Sequence, residues 1–201
     1  ASLIAASNAR ADDAPASDSD GLEPVIPVIG DRIRLDSIPG SATVIDADVL
    51  IESRVFTINE AMHKVPGVFA RDEEGLGLRP NLGVRGLNPT RSGKVLLLED
   101  GIPIAYAPYG DNATYYHPPV DRFERIEVLK GSGQIAYGPH TVGAVINYIT
   151  PPVPDVRTGR LVGSFGNKDF REIHGQVGDT FGETGFIAHG TYKETDGARE
   201  N

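Results

Sequence analysis

Two short apolar segments flanking a glycine-rich loop most constrain what this chain can become. Glu124-Arg-Ile-Glu-Val-Leu129 and Ala144-Val-Ile-Asn-Tyr-Ile149 are each of strand length and rich in β-branched residues. Between them, Gly131, Gly133, Gly138 and Gly143 let the backbone turn and approach neighbours where a Cβ would obstruct it. The pair therefore predicts two strands of one buried sheet.

The chain has 201 residues, which suits one domain of ordinary size with appendages. Its formal net charge of −9 excludes a nucleic-acid partner, because phosphate binding needs a basic surface. Without cysteine there is no disulfide framework, thiolate metal site or Cys nucleophile. No apolar run reaches the length of a transmembrane helix.

Other segments carry their own signals. Ala42–Ile45 is a short strand candidate, and Asp46 could cap a brief helix through Ile51. Thr57-Ile-Asn-Glu60 is a capping box, in which the Thr hydroxyl accepts an orphan N–H and the Glu reaches back. Ile58, Ala61, Met62 and Val65 then form one apolar helix face, which Pro66-Gly67 ends. Lys94–Glu99, Asp100-Gly101 and Ile102–Ile104 read as a hairpin, since Asp-Gly suits a type I′ turn.

These segments together resemble the plug domain of TonB-dependent outer-membrane transporters. Phe123–Pro152 is similar to the family's "ERIEVxxG…YG…GGVINxxT" run, with Gly131-Ser132-Gly133 in place of Gly-Pro and Ala144 in place of the second glycine. Thr57–Val68 is similar to the "xLxxaLxxxPGV" helix, Asn81–Gly86 to the "IRG" strand end, and Val95–Ile104 to "vLxDGxPl".

Beyond Pro154, Arg160–Phe165, Phe170–Gly178 and Gly185–Lys193 are of strand length. Ile173, Gly175 and Val177 alternate with His174, Gln176 and Gly178; Phe186, Ala188, Gly190 and Tyr192 alternate with Ile187, His189 and Thr191. That dyad period is the weak signature of a membrane β-barrel. Thr195–Asn201 resembles the "DGxRxN" that follows an early barrel strand in the family. The expected class is α+β: a plug with a small mixed sheet and short helices, then antiparallel hairpins beginning a barrel of about 22 strands. Three strands cannot close such a barrel, so a fragment or truncated product is expected, inactive in transport by itself. A soluble plug-like module that binds ligand or TonB is the alternative.

The expected organisation is a signal-peptide remnant and leader over 1–21, a TonB-box segment and linker over 22–36, the plug over 37–153, and barrel strands over 154–201. Within the second, Glu23, Pro24, Val25, Ile26, Pro27 and Val28 form a β-branched run interrupted by proline. Prolines bar it from a central strand but allow it to add to a partner's sheet edge. Its position before the plug resembles the TonB box; the alternative is a proline-stiffened linker.

The resemblance implies that the apical plug loops touch a ligand. Candidates are Arg79 and Arg91, with Tyr106, Tyr109, Asp111, Asn112, Tyr115 and Tyr116 in the polar aromatic loop after the hairpin. Ala107–Gly110 and Tyr137–Gly143 look closest to the ferric-citrate branch, whose anionic cargo would favour guanidinium contacts. Arg85 and Arg125 resemble the plug arginines that pair with barrel glutamates, or else they pair within the plug with Glu124, Glu127 or Glu99. Five histidines lack metal-ligand spacing, and no catalytic motif stands out, so neither an enzyme nor a protein-held metal is expected. No cofactor is implied; iron would enter only as part of a chelate. The implied partners are a ferric chelate, the outer membrane of a Gram-negative bacterium, and TonB with its inner-membrane motor proteins. The plug would face the barrel lumen and the periplasm.

Overall fold

The structure, a computed structural model, describes residues 40–73, 77–104, 114, 117–131, 137 and 142–197. The TonB-box candidates Glu23–Val28 and the loop candidates Tyr106, Tyr109, Asp111, Asn112, Tyr115 and Tyr116 lie outside the described residues. The described residues fall into two compact units that meet in sequence at Pro151–Pro152.

In the first unit, strands β1 (Ser41–Asp46), β4 (Val95–Glu99), β5 (Ile102–Pro103), β6 (Arg125–Lys130) and β7 (Ala144–Ile149) form one mixed sheet in the order β1-β6-β7-β4-β5. Only β4 and β7 pair in parallel. The two segments that dominate the sequence are thus adjacent antiparallel strands, with Val128 opposite Ile146. Every residue of β7 is buried, as a strand covered on both faces requires.

One sheet face presents Ile45, Val95, Leu97, Ile126, Val128, Ile146 and Tyr148 to the main core. Against it pack helix α1 (Ala47–Glu52) through Leu50 and helix α2 (Ile58–Met62) through Ile58, Ala61 and Met62. A two-stranded ribbon, β2 (Val68–Arg71) and β3 (Asn81–Val84), adds Ala70, Leu82 and Val84. Burying each large aliphatic side chain here contributes roughly 1.5–3 kcal/mol. The opposite face holds a smaller cluster of Leu96, Leu98, Leu129 and Val145.

The local signals are met with adjustments. The Thr57 hydroxyl accepts from the Glu60 N–H at 3.3 Å, but the Glu60 carboxylate accepts from Phe56, one residue before the cap. Helix α2 stops at Met62, because the Lys64 and Val65 N–H groups tighten to carbonyls three residues back. Val65 nevertheless stays in the apolar face. Asp46 stands at the N-cap of α1 without a side-chain capping bond. At the β4–β5 hairpin, Asp100 and Gly101 have φ of +49° and +82°, the positive pair that a type I′ turn demands. Among the described glycines the tightest is Gly40, where a Cβ would lie 2.3 Å from the Lys130 carbonyl oxygen.

The second unit is an antiparallel meander, β8 (Thr158–Phe165), β9 (Arg171–Phe181) and β10 (Thr184–Glu194), with β9 in the middle. A two-residue turn at Gly182-Glu183 joins the last pair.

Candidate functional site

Asn81 opens β3 and is 2% exposed. The two hydrogens on its Nδ2 are shared among the carbonyl oxygens of Arg79 and Arg71, each at 3.4 Å, and Glu73 Oε2 at 3.3 Å. Its Oδ1 accepts the Arg91 N–H at 2.7 Å. One buried amide therefore holds the backbones of both candidate arginines, whose side chains are exposed. Arg91 lies in a 3₁₀ turn, Thr90–Ser92, where Arg91 and Ser92 have φ of +54° and +51°. Non-glycine residues in that region cost of order 1 kcal/mol or more and persist only when their surroundings dictate them. Here Ser92 Oγ, fully buried, donates to the Pro80 carbonyl and accepts from the Leu82 N–H, both at 3.1 Å. The Arg91 carbonyl in turn accepts from the Thr114 N–H at 2.9 Å, and so anchors the end of the polar aromatic loop. Asn81 and Ser92 escaped the sequence reading. A lone Asn or Ser has no periodicity, although Asn at the head of a buried strand signals a hydrogen-bonding task.

Three residues past that anchor, His117 is fully buried. Its Nδ1 lies 3.0 Å from the Tyr148 hydroxyl, and the two rings meet edge-on at 5.7 Å. Phe123 stacks on the other side of Tyr148 at 4.8 Å. Burial lowers the His117 pKa to about 3 and raises that of Tyr148, so both are neutral at ordinary pH. A neutral, walled-in imidazole can hold a loop in place but cannot exchange protons with a substrate. Among the described residues no group of three or more His, Asp or Glu is placed to hold a metal ion.

The two candidate anchoring cations are treated differently by the fold. Arg125 Nε pairs with the buried Glu127 carboxylate at 3.0 Å, inside the plug. Arg85 is exposed, in a left-handed turn with Gly86, its N–H bonded to the Gly67 carbonyl at 2.8 Å. Its near neighbour in charge is Lys130, at the far end of β6 from Arg125. Lys130 is 3% exposed and donates to the Pro66 carbonyl at 2.7 Å. Burial, and then the Arg85 charge, lower its pKa. Sequence reasoning passed over Lys130, though it shares a strand face with Ile126 and Val128, where a cation is out of place.

In the meander the usual polarity is reversed. Leu161, Phe165, Ile173, Val177, Phe181, Phe186 and Tyr192 share one face by register and are exposed. The opposite face carries Glu172, His174, Gln176, Thr180, His189, Thr191 and Lys193, which are less exposed. Glu172 pairs with Lys193 at 2.8 Å, and His174 Nδ1 lies 2.8 Å from Thr191 Oγ1. A sheet with an apolar face turned out and a polar face turned in fits a lipid-facing barrel wall.

A family description now bears on this arrangement. The profile of the TonB-dependent Receptor Plug Domain matches residues 34–145, more than half of the chain. The chain belongs to the TonB-dependent receptor plug family. The plug is 34% identical over 116 residues to the "Vitamin B12 transporter BtuB" of Vibrio vulnificus, covering 58% of this chain and 18% of that protein. It is 31% identical over 130 residues to the same-named protein of Photobacterium profundum, covering 65% and 21%. The chain thus spans about a fifth of the length of these curated relatives. Among solved structures it is similar to the unliganded ferric citrate transporter FecA, with a TM-score of 0.54 and 27% identity over 69% of this chain and 25% of that one. The siderophore receptor PirA from Acinetobacter baumannii shares the fold, with a TM-score of 0.61 over 81% and 25% at 24% identity. These relatives of the plug are transporters and receptors, not enzymes.

Proposed function

We infer that this chain is part of a TonB-dependent outer-membrane receptor that binds and imports a ferric chelate, ferric citrate or another siderophore. The observation that carries the reading is the sequel of the plug sheet: a meander whose apolar face is exposed and whose polar face holds the Glu172–Lys193 and His174–Thr191 pairs. A free-standing soluble module has no use for such a sheet. Ligand settles on the apical loops that bear Arg79 and Arg91. TonB then pairs with the Glu23–Val28 segment and transmits force from its inner-membrane motor, and the plug rearranges to open a path. In this scheme Arg85, with Lys130 beside it, is a plug cation that engages carboxylates of a surrounding wall. Arg125 is engaged by Glu127 within the plug.

A second cargo has its own support, since two relatives of 34% and 31% identity bear the name vitamin B12 transporter. Cobalamin offers no set of carboxylates for two guanidinium groups. Calorimetry with ferric dicitrate, iron-free citrate and cobalamin decides between them. Binding of ferric dicitrate that weakens in Arg79→Gln and Arg91→Gln supports the chelate. Binding of cobalamin alone replaces it with the second cargo.

A further inference from the structure

We propose that Asn81 is a positioning residue that fixes the Arg79 and Arg91 loops in register, so that the plug favours an anionic ligand with two carboxylate arms over one with a single arm. This rests on the reading that those loops meet an anionic chelate. The geometry is specific: a single buried side chain donates to the Arg79 carbonyl and accepts from the Arg91 N–H. The two arginines are 12 positions apart in sequence and reside in separate loops, on either side of β3. The bond to Arg91 helps keep that residue at φ +54°.

The energetic logic is preorganisation. Two exposed arginines on independent loops would each be ordered anew on binding, at about 0.5–1.5 kcal/mol per immobilised side chain. Backbones already tied to one amide leave less to order, and they narrow the range of separations that the two charged arms can adopt. A ligand with one carboxylate cannot use that narrowed range, whereas a dicarboxylate or larger polycarboxylate can. Selectivity thus resides in Asn81 even though Asn81 is buried and need not touch the ligand.

The chain contains no cysteine, so spin labels go where they are placed. Labels at Arg79→Cys and Arg91→Cys leave both backbone bonds to Asn81 available. In the full chain, the label pair should show a narrow distance distribution that broadens in Asn81→Ala. Asn81→Asp keeps an oxygen for the Arg91 N–H but loses the donor to the Arg79 carbonyl. It should free the label at 79 and leave that at 91 restrained, which keeps the test alive if the alanine variant fails to fold. With both arginines present and no labels, Asn81→Ala should lower the preference for ferric dicitrate over acetate by about tenfold, the loss expected when a side chain must be ordered anew on binding. A distribution unchanged in Asn81→Ala, or equal mobility at both labels in Asn81→Asp, overturns the proposal. An unlabelled chain that ignores ferric dicitrate while the labels respond refutes the chelate reading and leaves the clamp standing.

Discussion

The Tyr148 hydroxyl lies 3.0 Å from His117 Nδ1, and this pair joins the central strand of the plug to the end of its polar aromatic loop. Tyr148 brings the β7 side of the bond, while the His117 N–H donates to the Leu78 carbonyl at 3.0 Å. Removing the hydroxyl in Tyr148→Phe leaves a buried imidazole nitrogen unsatisfied, at about 1–3 kcal/mol. Urea denaturation should show that loss with an unchanged m-value.

His117 also sets a pH dependence. Its folded pKa, about 3, is below the unfolded value of 6.5, so folded protein resists a proton that the unfolded chain accepts. Stability from this group is complete above pH 6.5 and falls as pH drops toward 3, by about 1.4 kcal/mol per pH unit. The slope between pH 6 and 4 should be shallower in His117→Gln by about that amount. Equal slopes would show that His117 is protonated in the folded state.

Much of the plug was legible because its signals are local and redundant. The β6 and β7 segments, the Asp100-Gly101 turn and the Thr57 cap each announce themselves within a few residues, and the fold only trims them. Helix α2 loses its last turn because Pro66 follows too closely. The site was half legible: Arg79 and Arg91 stood out as loop cations, but what joins them is Asn81, whose bond to Arg91 spans 10 residues and depends on tertiary closure. Lys130 was missed for a related reason. A strand-end lysine is ordinarily solvated, and only the closing of Pro66 and Arg85 around it makes it a buried cation.

Arg125→Ala should destabilise the plug by about 2 kcal/mol, since Glu127 is left in a buried position while Arg125 itself is partly exposed. Arg85→Ala, at an exposed turn, should cost less than 1 kcal/mol. The double variant Arg125→Ala/Glu127→Gln should recover most of the first loss, and thermal unfolding of the three variants checks the order.

Gly40→Ala places a Cβ against the Lys130 carbonyl at a position with φ +113°. The expected cost is about 1–3 kcal/mol from the backbone alone. Faster hydrogen exchange at the β1–β6 pairing would report it, while unaltered exchange would show that the glycine contact is slack.

The reversed polarity of the meander predicts that Val177→Arg is costly in a membrane, by about 2–4 kcal/mol at mid-depth, whereas Gln176→Arg is tolerated. Labels at Val177→Cys and Gln176→Cys should respond to lipid-chain and aqueous quenchers respectively. A label at 177 shielded from both quenchers would assign the apolar face to a protein partner, and the opposite pattern would contradict a lipid-facing wall.

In the proposed mechanism, ligand binding on this plug is coupled to TonB through the segment before it. Calorimetry of a peptide spanning Leu22–Gly30 with the periplasmic domain of TonB tests this most directly. Saturable binding that is lost in Val25→Pro is expected, because a further proline removes a backbone donor from the added strand. No binding at millimolar peptide, or equal binding by the proline variant, would contradict it.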